Sequence, residues 1–125
     1  MVGKDGKAKR VLLSLHSGTY GRTDDVVGAF ILADTLLTKG MDVTILLQSD
    51  GVWAAQAGQR PRTIGMDSHI GHLESAVEMG ATVLAVSEDM QARGMGPKDL
   101  VDYAQAISEK AVAKLIDDHD HWIPF

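Results

Sequence analysis

Short apolar runs alternate with amphipathic runs along the chain. Val11-Leu12-Leu13-Ser14-Leu15 reads as a strand that ends at Ser17-Gly18. From a cap at Thr23 or Asp24, Val26, Phe30, Ala33 and Leu37 fall on one helical face, which Ala29, Leu32 and Leu36 widen. Lys39-Gly40 closes that helix with a basic residue and a left-handed cap. Met41 to Gln48 is the second strand, broken by Ser49-Asp50-Gly51. Val52 to Ala57 reads as a short helix and Gly58 to Thr63, with Arg60, Pro61 and Arg62, as an exposed loop. Ser68 caps a helix with Ile70, Leu73, Ala76 and Val77 inward, ending at Gly80.

The second half continues the alternation. Ala81 to Val86 is the third strand, and Asp89 to Ala92 is one helical turn before Gly94 and Gly96. Pro97 opens a short helix to Val101. Ala104-Gln105-Ala106-Ile107 is a weak strand. Ser108 caps a last helix with Val112, Leu115 and Ile116 inward, and His121 to Phe125 is a final short strand. The order β-α-β-α-β-α-β-α-β, with nearly continuous apolar strands, predicts a mainly parallel five-stranded sheet covered on both faces. Right-handed crossovers make this an α/β fold, a three-layer α/β/α sandwich; the pattern does not fix the strand order, for which a doubly wound arrangement is the default. Asp117 and Asp118 sit where the helix dipole disfavours negative charge, so either the helix ends earlier or partners hold them.

Composition narrows the classes. At 125 residues the chain, 1–125, is one domain, with residues 1–9 expected to be a mobile basic tail. The basic start, Lys4 to Arg10, is followed by only five apolar residues, too few for a secretory core. No run is long enough to span a bilayer, so the expectation is a cytoplasmic protein without membrane insertion. A net charge of −5 argues against nucleic acid as a partner. There is no cysteine, which excludes disulfides, cysteine zinc sites and thiol or persulfide chemistry by this chain.

Ligands of open parallel sheets bind outside the carboxyl ends of the strands, which selects three loops. His16 to Arg22 holds Gly18, Tyr20 and Gly21 before a helix. It could cradle an anion, but it is neither a Walker loop nor a dinucleotide fingerprint, and a plain turn explains it as well. His16 is a candidate acid or base, set against a hydrogen-bonded structural histidine. Asp50 before Gly51 reads as a turn residue capping the next helix. Glu88 and Asp89 are adjacent carboxylates, and Arg93, four residues past Asp89, is placed for an ion pair with it. His69 with His72, and His119 with His121, raise the question of a metal. The two pairs fall at opposite edges of the sheet, so no cofactor is expected within one chain. No Gly-x-Ser-x-Gly elbow is present.

The run Val11 to Leu15 with Gly18, Lys39-Gly40, Met41 to Leu47 leading into Ser49-Asp50-Gly51-Val52, Glu78 to Val83, Ala92-Arg93-Gly94-Met95 and Trp122-Ile123-Pro124-Phe125 together resemble the DsrE/DsrF-like family of small sulfur-relay proteins. The resemblance implies an α/β/α fold and a homo-oligomer, trimer or hexamer. In active members it implies a persulfide-bearing cysteine just before Ala-Arg-Gly, at about Asp89 here. This chain has no such nucleophile. Three readings follow. The first is a non-catalytic ligand-binding or partner subunit, with His16, Gly18, Tyr20, Asp50, Glu88, Asp89, Arg93 and Gly94 as candidate ligand contacts and a cysteine-bearing paralogue as a candidate partner. The second is an enzyme using His16 and Asp89 as acid and base. The third is a structural or regulatory oligomer. Trp53, Met66, Trp122 and Phe125 are candidate interface anchors.

Overall fold

In a computed structural model, residues 6–18, 25–66 and 68–125 are described. The strands are β1 (Arg10–Leu15), β2 (Asp42–Leu47), β3 (Thr82–Val86), β4 (Ala104–Ile107) and β5 (His121–Pro124). The α-helices are α1 (Asp25–Thr38), α2 (Ile70–Glu78), α3 (Ser87–Gln91) and α4 (Val112–Asp117). The five strands form one sheet in the order β4-β3-β2-β1-β5, and every pairing is parallel.

Alternation along each strand splits the core into two layers. Val11, Leu13, Leu15, Val43, Ile45, Leu47, Val83 and Ala85 share one cluster with Phe30 and Ala33 of α1 and Leu73 and Ala76 of α2. Leu12, Leu46, Leu84 and Val86 point the other way and are covered by Val112, Leu115 and Ile116 of α4. The three central strands therefore carry apolar residues at consecutive positions, because both faces are buried. Edge strands β4 and β5 are mostly exposed, which matches their weaker apolar pattern. The chain steps from β1 to β4 in sequence and then returns across the sheet to place β5 beside β1. That return puts α4 on the face opposite α1 and α2.

Glycines end the two longer helices. Gly40 (φ 83°) and Gly80 (φ 108°) adopt the left-handed region. The next amides, Met41 and Ala81, donate back to Leu36 and Ala76 at 3.2 and 2.9 Å, which turns the chain directly into β2 and β3. Ser68 Oγ accepts the Ile70 amide at 3.1 Å, but the N-cap position of α2 is held by His69, without a side-chain cap bond, rather than by Ser68. The predicted cap of α1, Thr23 or Asp24, lies outside the described residues.

Several local expectations are corrected. The segment after β2 begins a turn earlier than expected, as a 3-10 helix over Ser49–Ala55, with Asp50 inside it rather than capping it. Gly58 to Thr63 is not an exposed loop throughout, because Pro61–Ile64 forms a second 3-10 helix and Pro61 is buried. Pro97 opens a 3-10 turn that ends at Asp99. Ser108 accepts the Lys110 amide at 3.3 Å and caps a 3-10 turn that precedes α4. The last helix does run into Asp117, and Lys114 Nζ holds Asp118 at 3.0 Å, so a partner offsets the unfavourable dipole end. That bond keeps the Asp118 carboxyl below its usual range.

No helix among the described residues is long and apolar enough to cross a membrane.

Candidate functional site

The carboxyl end of β1 meets the start of the 3-10 helix Ser49–Ala55 at Gly51. A Cβ there would collide with the Leu15 carbonyl group, whose carbon would be 2.7 Å away. Only glycine lets the two backbones approach this closely. Ser49, the one non-glycine residue with positive φ among the described residues, stands at φ 51° just before. Its amide donates to Asp89 Oδ2 at 2.7 Å. The αL turn is thus held from the first turn of α3.

Arg93 continues the same connection. Its Nε donates to Asp50 Oδ1 at 2.9 Å and its Nη1 to the Asp89 carbonyl at 3.0 Å. The expected Asp89–Arg93 side-chain pair is therefore replaced. Asp89 is taken by the Ser49 amide, and Arg93 reaches across to Asp50. Gly94 (φ 74°) donates its amide to Gln91 and serves as the left-handed exit from α3.

Glu88 lies beside Asp89 but faces a different partner. Its Oε1 accepts the Glu109 amide at 2.9 Å and the Ser87 hydroxyl at 2.8 Å, and its Oε2 accepts the Ser108 hydroxyl at 3.3 Å. These bonds, the Glu109 amide first, hold the Glu88 carboxyl below the usual glutamate range. The two adjacent carboxylates thus avoid repulsion by diverging, one toward the β2 turn and one toward the β4–α4 connection.

The order of the sheet reverses between β1 and β5, the switch point where open α/β sheets usually take ligands. Here the His16 amide donates to the Phe125 carbonyl at 3.1 Å, and His16 Nδ1 lies 3.3 Å from the same oxygen. That crevice is bridged by backbone. Ser17 Oγ donates to Asp25 Oδ2 at 3.2 Å, tying the β1 loop to the first turn of α1. Tyr20 lies outside the described residues.

The open space lies to one side of this point. A cavity of about 500 Å³ is lined by Gly18, Asp50, Trp53, Gln56, Gln59, Arg60, Pro61, Thr63 and Ile64. Its volume falls within the range of about 300–1,000 Å³ of small-ligand sites. Its wall is self-supporting. Gln59 Nε2 donates to the carbonyls of Trp53 and Gln56 at 2.8 and 3.0 Å, and Thr63 Oγ1 donates to the Arg60 carbonyl at 2.7 Å. Of the residues proposed from sequence, the structure brings Gly18 and Asp50 to this cavity, with Arg93 bonded to Asp50. Sequence reasoning missed Trp53, Gln56, Gln59, Arg60, Pro61, Thr63 and Ile64 as cavity residues. The signal available was the pair Arg60 and Arg62 between Gly58 and Thr63.

The two buried histidines, His69 and His119, have separate structural partners. His69 is 2% exposed, and its Nε2 donates to the Ala54 carbonyl at 2.7 Å. Burial pushes its pKa down, opposed by that hydrogen bond and aided by His72. His119 is also buried. Its Nδ1 lies 2.6 Å from the Leu115 carbonyl, which can only accept, so Nδ1 carries a proton, and Nε2 faces Thr44 Oγ1 at 2.8 Å. The described residues contain no group of three His, Cys, Asp or Glu able to hold a metal.

Comparison with known proteins agrees with this architecture. An uncharacterised protein of Methanocaldococcus jannaschii is 27% identical over 106 residues, 85% of this chain and 90% of the relative. One of Methanopyrus kandleri is 29% identical over 115 residues, 92% of this chain and 93% of the relative. The crystal structure of the ychN protein from E. coli superposes with a TM-score of 0.81 at 22% identity, covering 94% of this chain and 99% of that one. A protein of unknown function from Methanobacterium thermoautotrophicum superposes with a TM-score of 0.72 at 16% identity, again over 94% and 99%. The DsrE/DsrF-like family matches residues 9–125. With the five-stranded parallel sheet and its strand-end loops in place, the chain belongs to the DsrE/DsrF-like family.

Proposed function

We propose that this protein is a non-catalytic member of its family. It binds a small ligand at the cavity beside Asp50, as one subunit of a cytoplasmic, sulfur-relay-like homo-oligomer, and has no persulfide chemistry of its own. The observation that carries this reading is the absence of cysteine from the whole chain. A carboxylate cannot accept a sulfane sulfur. Asp89, at about the position where the family resemblance implies a cysteine, is bonded to the Ser49 amide. A cysteine-bearing paralogue is the natural partner for such a subunit.

The acid–base alternative draws on His16 and Asp89. Each is hydrogen-bonded to backbone, Phe125 and Ser49 respectively, which supports a structural role for both. For the oligomer, Trp53 and Phe125 pack against the core, whereas Trp122 stays 48% exposed and is the best remaining anchor.

The test is a thermal-stability screen of the purified chain against a mixed set of anionic, neutral and cationic small molecules. Its mass in solution is measured in parallel. A compound at a hundred times its Kd adds about 2.7 kcal/mol, which is several degrees in a domain of this size. A raised midpoint that disappears when the cavity is altered supports ligand binding there. No stabilisation by any class leaves the structural-oligomer reading in its place, and a mass equal to one chain removes the oligomer.

A further inference from the structure

The charge balance of the cavity selects its ligand. Asp50, the one acidic residue lining it among the described residues, is paired with Arg93 at 2.9 Å. Arg60 also lines it, and among the described residues no carboxylate pairs with Arg60. In a chain of net charge −5, the described lining of this concave surface therefore carries the free guanidinium of Arg60 and one carboxylate that Arg93, outside the lining, already pairs. A guanidinium in fork geometry is suited to a carboxylate head.

The rest of the described lining is apolar or uncharged. Trp53, Pro61 and Ile64 contribute hydrocarbon, and Ile64 is 67% exposed, so its side chain is accessible to a ligand. Gln56, Gln59 and Thr63 supply hydrogen-bonding groups. Much of the capacity of Gln59 and Thr63 is already spent on fixing the wall. One unpaired cation beside an apolar wall matches one anionic head on an apolar body.

We infer that the cavity binds a small amphipathic monocarboxylate, its carboxylate on Arg60 and its apolar body against Trp53 and Ile64. This assignment rests on the reading of the cavity as a ligand site. Arg60 is suited to a test because its described hydrogen bonds run through its backbone carbonyl, so its side chain can be changed without disturbing the wall.

The probe is benzoate. The chain has two tryptophans, so in a Trp122→Phe variant the indole emission reports Trp53 alone. Benzoate at millimolar concentration should shift that emission saturably. Arg60→Gln should weaken binding at least tenfold with the thermal midpoint unchanged. Benzamide, which has the ring without the charge, and inorganic phosphate, which has charge without the ring, should each bind at least tenfold more weakly. If Trp122→Phe does not fold, the indole N–H resonances of the wild-type chain give the same titration. Benzamide binding as tightly as benzoate, or Arg60→Gln binding unchanged, overturns the carboxylate assignment while the cavity remains a ligand site. No response to benzoate overturns the assignment as well. Failure of the broader reading is seen separately, when the mixed screen yields no stabilising compound of any charge class.

Discussion

The Asp89 carboxylate accepts the amide of Ser49 at 2.7 Å, forty residues away in the chain, and Ser49 is the residue that turns backward at φ 51°. A non-glycine residue in the αL region costs of order 1 kcal/mol, and this charge-assisted bond offsets it. Asp89→Ala should therefore lower stability by about 1.5 kcal/mol, and Asp89→Asn, which keeps an acceptor, by less. Denaturant midpoints of the two variants measure this. Equal losses would show that the acceptor is not what matters.

Gly51 is predicted to tolerate no side chain. Gly51→Ala places a methyl group against the Leu15 carbonyl, so β1 and the Ser49–Ala55 turn must separate. The expected cost is about 3 kcal/mol, read from thermal or urea unfolding. A near-neutral result would mean that the turn shifts without strain.

Tyr103 offers the opposite sign. Its hydroxyl is buried with no hydrogen-bond partner among the described residues. Its pKa is pushed up to about 12 by burial, with Glu74 and Asp102 adding to it. Removing an unpaired buried hydroxyl while keeping the ring should stabilise, so Tyr103→Phe is expected to gain about 1 kcal/mol. A loss of stability would reveal a bond to ordered water.

His69 sets a pH dependence. Its folded pKa is depressed below the ordinary 6.5 by burial, so the folded state favours the neutral ring. Its contribution is fully present above pH 6.5 and is lost as pH falls below that value toward the lowered folded pKa. The thermal midpoint of the wild type should therefore drop between neutral and mildly acidic pH. In His69→Gln, which cannot titrate, that drop should be smaller, whatever the variant's absolute stability. Glu88 acts lower on the scale. Its depressed pKa makes its contribution present above 4.5 and lost as pH falls from there through the folded value.

The sheet and its helices were legible because their signals are local. Val26, Phe30 and Ala33 repeat at helical spacing and are buried. Gly40 and Gly80 end helices as their positions imply. Leu12 and Leu13 are adjacent because opposite faces are both covered. What the sequence hid depends on distant partners. The local pattern starts the helix after β2 at Val52 rather than Ser49, because the residue that holds Ser49 in its left-handed conformation is the distant Asp89. Arg93 was expected to choose Asp89, four residues back, but it lies past the end of α3 and reaches Asp50 instead. Gly18 and Asp50 were found by the strand-end rule. Arg60 and Ile64 escaped it because the cavity wall lies beyond the loop itself, in a turn made by Pro61.

The return of β5 to β1 also governs how the molecule assembles. β2, β3 and β4 each pair with the preceding strand, closing moderate loops, but Arg10 meets Asp120 across 110 residues. That contact is among the costliest in loop entropy and gives the chain a large non-local share in its rate-limiting steps. Until it forms, the central strand β1 presents a long, apolar, unpaired edge. Refolding yield should therefore fall with protein concentration, because during that interval the strand of a second chain can occupy the place that β5 takes in the finished sheet.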